Sequence, residues 1–126
     1  MMNPSTSDPG AIQLPPADSP EKPFFSVDLV IFTIREECLR VLLVRRSEAP
    51  FKGRWALPGG FLEPGRDDSI EGCALRRLVE KTGVEAPYLE QLKTYGSHDR
   101  DPRGWTATTV YFALIASDSV RLRANQ

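Results

Sequence analysis

The stretch that decides the fold is residues 59–84, which read GGFLEPGRDDSIEGCALRRLVEKTGV. The spacing of its apolar residues predicts a helix over residues 70–82, and Gly83 supplies the left-handed position at which helices commonly end. Asp68 and Ser69 are both suitable N-cap residues, because their side-chain oxygens can accept from the first free backbone N–H groups. The stretch therefore predicts a glycine turn, an acidic loop and one well-delimited helix.

The predicted helix has two chemically different sides. At 100° per residue, one broad side collects Ile70, Ala74, Leu75, Leu78 and Val79. The other side collects Cys73, Arg76, Arg77, Glu80 and Lys81. We expect the apolar side to pack on a sheet.

Apolar and β-branched segments on both sides of this stretch predict the strands of that sheet. They cover residues 24–34, 39–46, 88–95 and 106–116, and the first two are expected to form a hairpin. A charged loop is predicted at residues 96–105. The predicted fold class is therefore α/β, with a mixed sheet and one helix on one face. Such a sheet leaves its second face uncovered, so either the chain is a fragment or a partner covers that face.

Residues 1–23 differ in composition from the rest of the chain. They contain six of the eleven prolines, mixed with Ser, Asp and Gly. Such a segment buries too little apolar surface to offset its ordering entropy. We predict a disordered tail over residues 1–23 and one domain over residues 24–126.

The overall composition narrows the class of protein. The 126 residues include 16 Lys and Arg against 17 Asp and Glu, and the formal net charge of −1 argues against non-specific nucleic-acid or membrane binding by this segment. Cys38 and Cys73 are too few for a disulfide framework and are predicted to be free, semi-buried thiols. The N-terminus lacks the pattern of a signal peptide, which indicates a cytoplasmic protein.

The quoted stretch resembles the Nudix box. That pattern is a Gly, five residues, a Glu, seven residues, and then Arg-Glu-apolar-x-Glu-Glu-x-Gly-apolar. The segments LLVRR at residues 42–46 and WALPGG at residues 55–60 are also similar to the family, and the resemblance covers about residues 26–116. It implies the Nudix fold, an α/β/α sandwich whose C-terminal strand and helix this chain is expected to lack. It also implies hydrolysis of a nucleoside diphosphate linked to another moiety, with a divalent metal held by helix carboxylates.

The box is degenerate at the positions that carry this chemistry. Arg76 and Glu80 match the pattern, but Arg77 and Lys81 stand where it has glutamates. The loop before the helix is two residues longer than the pattern, and with the gap placed there Asp68 takes the position of the earlier Glu. With an effective dielectric constant of about 20 and a separation of about 5 Å, one carboxylate attracts a divalent cation by about 6 kcal/mol. Two charge reversals should therefore abolish ordinary metal affinity.

What remains of the box favours anions. If hydrolysis survives, Glu80 is the expected catalytic residue, Glu80 and Asp68 are the expected metal ligands, and Mg²⁺ is the expected cofactor; otherwise no cofactor is expected. A cationic helix side beside a Gly-Gly turn suits a pyrophosphate that is bound without being cleaved. The alternative is a solvated helix face in which Glu80 only pairs with its neighbouring arginines.

The loop at residues 100–105 is the second informative feature. It reads RDPRGW and is similar to the loop of Nudix proteins that handle ADP-ribose. Two guanidinium groups can bind phosphate bidentately and Trp105 offers a stacking face, whereas the alternative is a salt-bridged surface loop. The candidate ligand-binding residues are Arg46, Gly59, Gly60, Arg76, Arg77, Lys81, Arg100, Arg103 and Trp105.

Together these features most resemble the Nudix-related transcriptional regulators of NAD metabolism. That resemblance implies a domain that binds an ADP-ribose-like nucleotide, with weak or no hydrolysis. It also implies a homodimer, and DNA binding only through a winged helix-turn-helix that is absent from these residues. The rival interpretation is an active metal-dependent Nudix hydrolase whose metal is held by Glu80 with Glu63, Asp67 or Asp68, and Glu71. A third is a truncated Nudix fragment without activity of its own.

Overall fold

A computed structural model of the chain describes residues 22–85 and 88–116. All but the last two residues of the predicted tail lie outside these ranges, and so does the segment after Ala116. The disordered tail, the domain boundaries and the missing C-terminal elements therefore remain predictions.

The described residues form a mixed sheet and one helix, as the sequence predicts. The elements are β1 (Phe24–Arg35), β2 (Cys38–Val41), β3 (Val44–Arg45), β4 (Trp55–Ala56), β5 (Gly59–Phe61), α1 (Ile70–Thr82), β6 (Glu90–Ser97) and β7 (Thr106–Leu114). β1 runs parallel to β7, and β6 pairs antiparallel with the far edge of β7. β2 and β5 share the other edge of β1, at its C-terminal and N-terminal halves respectively.

The predicted hairpin is shorter than the sequence suggests. The segment predicted as one strand over residues 39–46 is divided into β2 and β3. β3 leaves β1 and pairs instead with β4 in a separate two-stranded sheet. This rearrangement brings the loop that follows β3 towards β5.

The helix begins and ends where local chemistry predicts. The Ser69 side chain accepts a hydrogen bond from the Gly72 backbone N–H at 2.9 Å. Gly83 adopts φ 75° and donates its N–H to the carbonyl of Val79 at 2.8 Å. The predicted bounds of 70–82 are therefore confirmed, with Ser69 rather than Asp68 as the N-cap. No helix in residues 22–85 and 88–116 is long and apolar enough to span a membrane.

The core lies between α1 and one face of the sheet. Val27, Leu29 and Ile31 alternate along β1 and are buried against the helix, together with Tyr111 and Ala113 of β7. The helix buries Cys73, Ala74, Leu78 and Thr82 in this core. Cys73 lies on the same side of the helix as Arg76 and Arg77, as predicted, but it is fully buried rather than semi-buried, and its thiol lies 3.9 Å from the carbonyl oxygen of Phe61 in β5. Cys38 is exposed.

Candidate functional site

A cleft of about 430 Å³ opens where β1, β5, α1 and the β6–β7 loop meet. Seven of the predicted ligand-binding residues line it, and they are Arg46, Gly59, Gly60, Arg77, Lys81, Arg100 and Arg103. The lining also contains two carboxylates, Asp28 and Asp101. Among the described residues, five cationic and two acidic side chains therefore line one cleft, and this balance favours an anionic ligand.

Arg77 packs directly on Gly60. The predicted turn at Gly59-Gly60 is wrong, because both glycines belong to strand β5 and pair with β1. A Cβ atom built at Gly60 would be 2.4 Å from Cζ of Arg77, so only glycine leaves room for the guanidinium. Nη2 of Arg77 donates to the carbonyl oxygen of Phe61 at 2.8 Å, and Nε is enclosed without a partner among the described residues. β5 therefore holds the guanidinium at the floor of the cleft.

The acids of the degenerate box form an ion-pair cluster with three arginines. We call this the Arg-carboxylate cluster, and its members are Glu63, Asp67, Glu80, Arg66, Arg76 and Arg77. Arg76 contacts both oxygens of Asp67 at 2.7 Å. The Arg77 guanidinium bridges the other two acids, with Nη2 3.2 Å from Glu63 and Nη1 3.3 Å from Glu80. The cluster thus joins the loop before the helix to the helix itself.

Asp67 rather than Asp68 is the inward-facing acid of the lengthened loop. Its side chain is only 1% exposed, and hydrogen bonds from Arg76 hold the pKa of the Asp67 carboxyl well below its usual range despite burial. Asp68 is exposed at the surface. Burial is the main cause that raises the pKa of the Cys73 thiol, and the nearby Asp67 raises it further.

The Arg-carboxylate cluster does not fit a divalent metal ion. Each of its six carboxylate oxygens has a guanidinium nitrogen within 3.4 Å, so the oxygens that a hard cation needs are already paired. Across the two described ranges, no group of three or more His, Cys, Asp or Glu side chains could hold a metal ion. The Arg77 guanidinium, rather than a metal ion, provides the positive charge between Glu63 and Glu80.

Lys81 extends the cationic lining one helical turn beyond Arg77. It is half-buried, and burial is the largest cause that lowers its pKa. The neighbouring Arg77 lowers the pKa further, because two cations close together disfavour each other's charge. An anion placed between these side chains would relieve that repulsion.

The β6–β7 loop is held by its own ion pair. Asp101 accepts from the Arg103 backbone N–H at 2.8 Å and from its guanidinium at 3.0 and 2.8 Å. These bonds lower the pKa of Asp101 to about 2. The Arg103 guanidinium lies 4.7 Å from the centre of the Phe61 ring, and Arg100 donates to Thr106 Oγ1 at 2.6 Å. Both arginines are therefore oriented before any ligand binds.

Two predicted ligand-binding residues lie elsewhere. Arg76 belongs to the Arg-carboxylate cluster and is not part of the cleft lining. Trp105 is also absent from the lining formed by the described residues, and its ring packs over Gly96, where an added Cβ would lie 3.2 Å from it. His98, which the sequence analysis did not select, is exposed.

Asp28 is a cleft residue that the sequence analysis missed. It lies on β1, and its Oδ2 atom accepts a hydrogen bond from Thr108 Oγ1 at 2.8 Å. Burial raises the pKa of Asp28, while the Thr108 bond and the charge of Arg100 oppose the rise. The available signal was a lone charged residue within the apolar strand SVDLVIF.

The chain is similar in sequence to two curated proteins. It is 50% identical over 93 residues to the ADPR responsive transcriptional repressor NtrR of Acinetobacter baylyi, a match that covers 74% of this chain and 37% of the repressor. It is 39% identical over 99 residues to the ADP-ribose pyrophosphatase of Methanocaldococcus jannaschii, which covers 79% of this chain and 55% of that enzyme. The chain therefore spans about a third to a half of the length of these relatives.

The fold is similar to that of a solved nucleotide complex. The cocrystal structure of the NUDIX domain of Shewanella oneidensis NrtR complexed with ADP ribose matches with a TM-score of 0.75 and 41% identity, covering 96% of this chain and 73% of that one. The sequence pattern of the NUDIX domain itself matches residues 22–126. Given this match and the sheet and helix described above, the chain belongs to the NUDIX domain family.

Proposed function

We propose that this domain binds an ADP-ribose-like nucleoside diphosphate without a divalent metal and serves as the ligand sensor of a transcriptional regulator, with weak or no hydrolysis. The observation that carries this proposal is the Arg77 guanidinium bridging Glu63 and Glu80. The comparisons support the ligand class, because NtrR is an ADPR responsive repressor and the NUDIX domain of NrtR was cocrystallised with ADP ribose.

The cationic cleft supplies what a diphosphate requires. Arg100 and Arg103 come from one loop, and Arg77 and Lys81 come from the helix on the other side of the cleft. A guanidinium can bind phosphate oxygens through two parallel N–H bonds, so the loop arginines can fix the orientation of the diphosphate. Because both are already held by Asp101 and Thr106, little side-chain entropy is lost on binding.

Calorimetry of the 126-residue chain with ADP-ribose tests this proposal, in EDTA and in Mg²⁺. We expect equal affinities in the two buffers and no turnover. Arg100→Ala and Arg103→Ala should each weaken binding at least about tenfold, since a hydrogen bond to a charged group contributes about 1.5–3 kcal/mol. Arg40→Ala is the matched control, because Arg40 is exposed on β2 and pairs only with Glu36 among the described residues. Binding that requires Mg²⁺ would contradict the proposal.

A working pyrophosphohydrolase is the second candidate, and the 39% identity to an ADP-ribose pyrophosphatase favours it. In that case Glu80 and the acids of the preceding loop would have to hold Mg²⁺, which requires Arg66, Arg76 and Arg77 to move away. Glu80→Ala distinguishes the two functions. The enzyme would lose turnover, whereas the sensor would change only modestly in affinity.

The regulatory part of the proposal concerns a longer protein. The chain spans 37% of the repressor that it matches. We propose that DNA is contacted only through a module outside these residues, that the domain acts as a homodimer, and that it works in the cytoplasm. Analytical ultracentrifugation with and without ADP-ribose tests the dimer, and a single monomeric species in both conditions would contradict it.

A further inference from the structure

A second cleft of about 470 Å³ adjoins the cationic one and shares Asp28, Leu57 and Arg100 with it. Its other lining residues come from the edge strand β6 and from β7, and they are Tyr95, Gly96, Ser97, Thr108 and Val110. Among the described residues, Arg100 is the only cation in this lining, whereas the lining of the first cleft has five. The second cleft is therefore suited to a neutral, hydroxyl-rich part of a ligand.

Asp28 lies at the junction of the two clefts. Thr108 occupies its Oδ2 atom, and none of the residues in the described ranges donates a hydrogen bond to Oδ1. Asp28 is partly buried and lines both clefts, so its Oδ1 atom is open to a ligand there. The ionised group can only accept hydrogen bonds, so a ligand group that binds Oδ1 must be a donor.

The chemistry of this donor follows from the charge of Asp28. A phosphate placed there would be repelled by the carboxylate, and the neighbouring cationic cleft offers it a better position. A pair of vicinal hydroxyls is neutral and presents two donors to one carboxylate. Such a pair occurs on each ribose of a nucleoside diphosphate ribose. One ribose is attached to each end of the diphosphate, so either ribose can reach the cleft that adjoins the diphosphate.

We propose that Asp28 recognises a ribose of the bound nucleotide by accepting hydrogen bonds from its vicinal hydroxyls, while the diphosphate lies in the adjoining cationic cleft. The inference rests on the proposed function, because it assumes that a nucleoside diphosphate occupies the first cleft. It makes Asp28 a specificity residue that selects intact ribose. Tyr95 adds an aromatic surface to the lining of the second cleft.

The test compares Asp28→Asn with the unmodified chain by calorimetry. Asparagine keeps the shape of the side chain and can still accept the bond from Thr108. Three ligands are compared, beginning with ADP-ribose. ADP lacks the terminal ribose, and 2′,3′-dideoxy-ADP lacks both the terminal ribose and the hydroxyls of the adenosine ribose. Glu90→Gln removes a carboxylate from an exposed position on β6 and is the matched control. Thermal melting of both variants checks that they fold.

Each outcome has one meaning. If Asp28 binds the terminal ribose, Asp28→Asn should weaken ADP-ribose at least about tenfold and leave ADP unchanged. If it binds the adenosine ribose, ADP-ribose and ADP should weaken equally, while 2′,3′-dideoxy-ADP should bind both proteins alike. An equal effect on all three ligands, or none on any, overturns the inference.

The unmodified chain provides a test that needs no variant. Removing the hydroxyls that donate to Asp28 should by itself weaken binding at least about tenfold. ADP should therefore bind at least about tenfold more weakly than ADP-ribose, or 2′,3′-dideoxy-ADP at least about tenfold more weakly than ADP. Equal affinity for all three ligands would overturn the inference even if Asp28→Asn did not fold. Failure of the proposed function is distinct, because the unmodified chain would then bind neither ADP-ribose nor ADP.

Discussion

Arg77→Glu should convert the Arg-carboxylate cluster from a self-neutralised ion-pair network into a metal-binding site. The substitution removes the guanidinium that lies 3.2 Å from Glu63 and 3.3 Å from Glu80, and it introduces a third carboxylate between them. At about 5 Å and an effective dielectric constant of about 20, each new pair of like charges costs about 3 kcal/mol as an upper limit. Because Glu63 and Glu80 are 42% and 35% exposed, solvent screening should reduce the total loss of stability to about 2–4 kcal/mol.

A divalent cation should recover most of this loss. Each carboxylate attracts a divalent ion by about 6 kcal/mol under the same assumptions. The substitution releases Glu63 Oε2 and Glu80 Oε1 from Arg77 beside the new carboxylate, while Arg66 and Arg76 still pair with the other oxygens of these two acids. If the ion is present at a hundred times its Kd, binding raises the free energy of unfolding by about 2.7 kcal/mol. For a domain of this size, that corresponds to an increase in Tm of about 10 °C or more.

The assay is thermal melting with Mn²⁺ and with EDTA for three proteins. The unmodified chain should melt at the same temperature in both buffers, and Arg77→Glu should melt lower in EDTA but respond to Mn²⁺. Arg77→Gln is the matched control, because it removes the cation without adding a carboxylate. A response of the unmodified chain to Mn²⁺ as strong as that of Arg77→Glu would contradict this prediction, and so would a gain in Tm for Arg77→Glu no larger than that for Arg77→Gln.

Three further predictions concern the parts of the structure that hold the site. Gly60→Ala should cost about 1–3 kcal/mol of stability because its new methyl group would displace the Arg77 guanidinium from its bonds to Phe61, Glu63 and Glu80. Gly65→Ala, which has open space, should change the free energy of unfolding in urea by less than about 0.5 kcal/mol. Ser69→Ala should cost about 1 kcal/mol by removing the N-cap, and an equal cost for Asp68→Ala would show that the cap is assigned to the wrong residue. Because the folded pKa of Asp101 is lowered to about 2, its contribution to stability is complete above about pH 4 and is lost as the pH falls through about 2. Hydrogen exchange of the β6–β7 loop should follow that loss, and Asp101→Asn should remove the pH step; a step that persists in the variant would assign it to another group.

The helix could be predicted from the sequence because its determinants are local, whereas Gly59 and Gly60, predicted as a turn, belong to strand β5 through their pairing with β1. The 3.6-residue period, a capping hydroxyl and a left-handed glycine act within a few residues, and α1 has the predicted bounds. The strands were less predictable. The division of residues 39–46 into β2 and β3 depends on pairing with β4, whose partner cannot be identified from either strand alone.

The site shows the same division between local and distant causes. The sequence was sufficient to indicate a cationic helix beside Gly59-Gly60 and an arginine-rich loop, and seven of the selected residues line one cleft. It could not indicate that Trp105 packs over Gly96 instead of lining that cleft. Nor could it show that Asp28 meets Thr108, since 80 residues separate these two side chains in the chain.

The sequence by itself determined the charge of this site, because the replacement of two box glutamates by Arg77 and Lys81 is visible without coordinates. Only the tertiary structure decided how that charge is distributed. Asp67 turns inward while its neighbour Asp68 remains exposed, and Arg77 bridges two acids that lie 14 residues before it and 3 after it. The physical reason is that the net charge of a segment adds up residue by residue, whereas each ion pair depends on distances of about 3 Å that only the packed loop and helix establish.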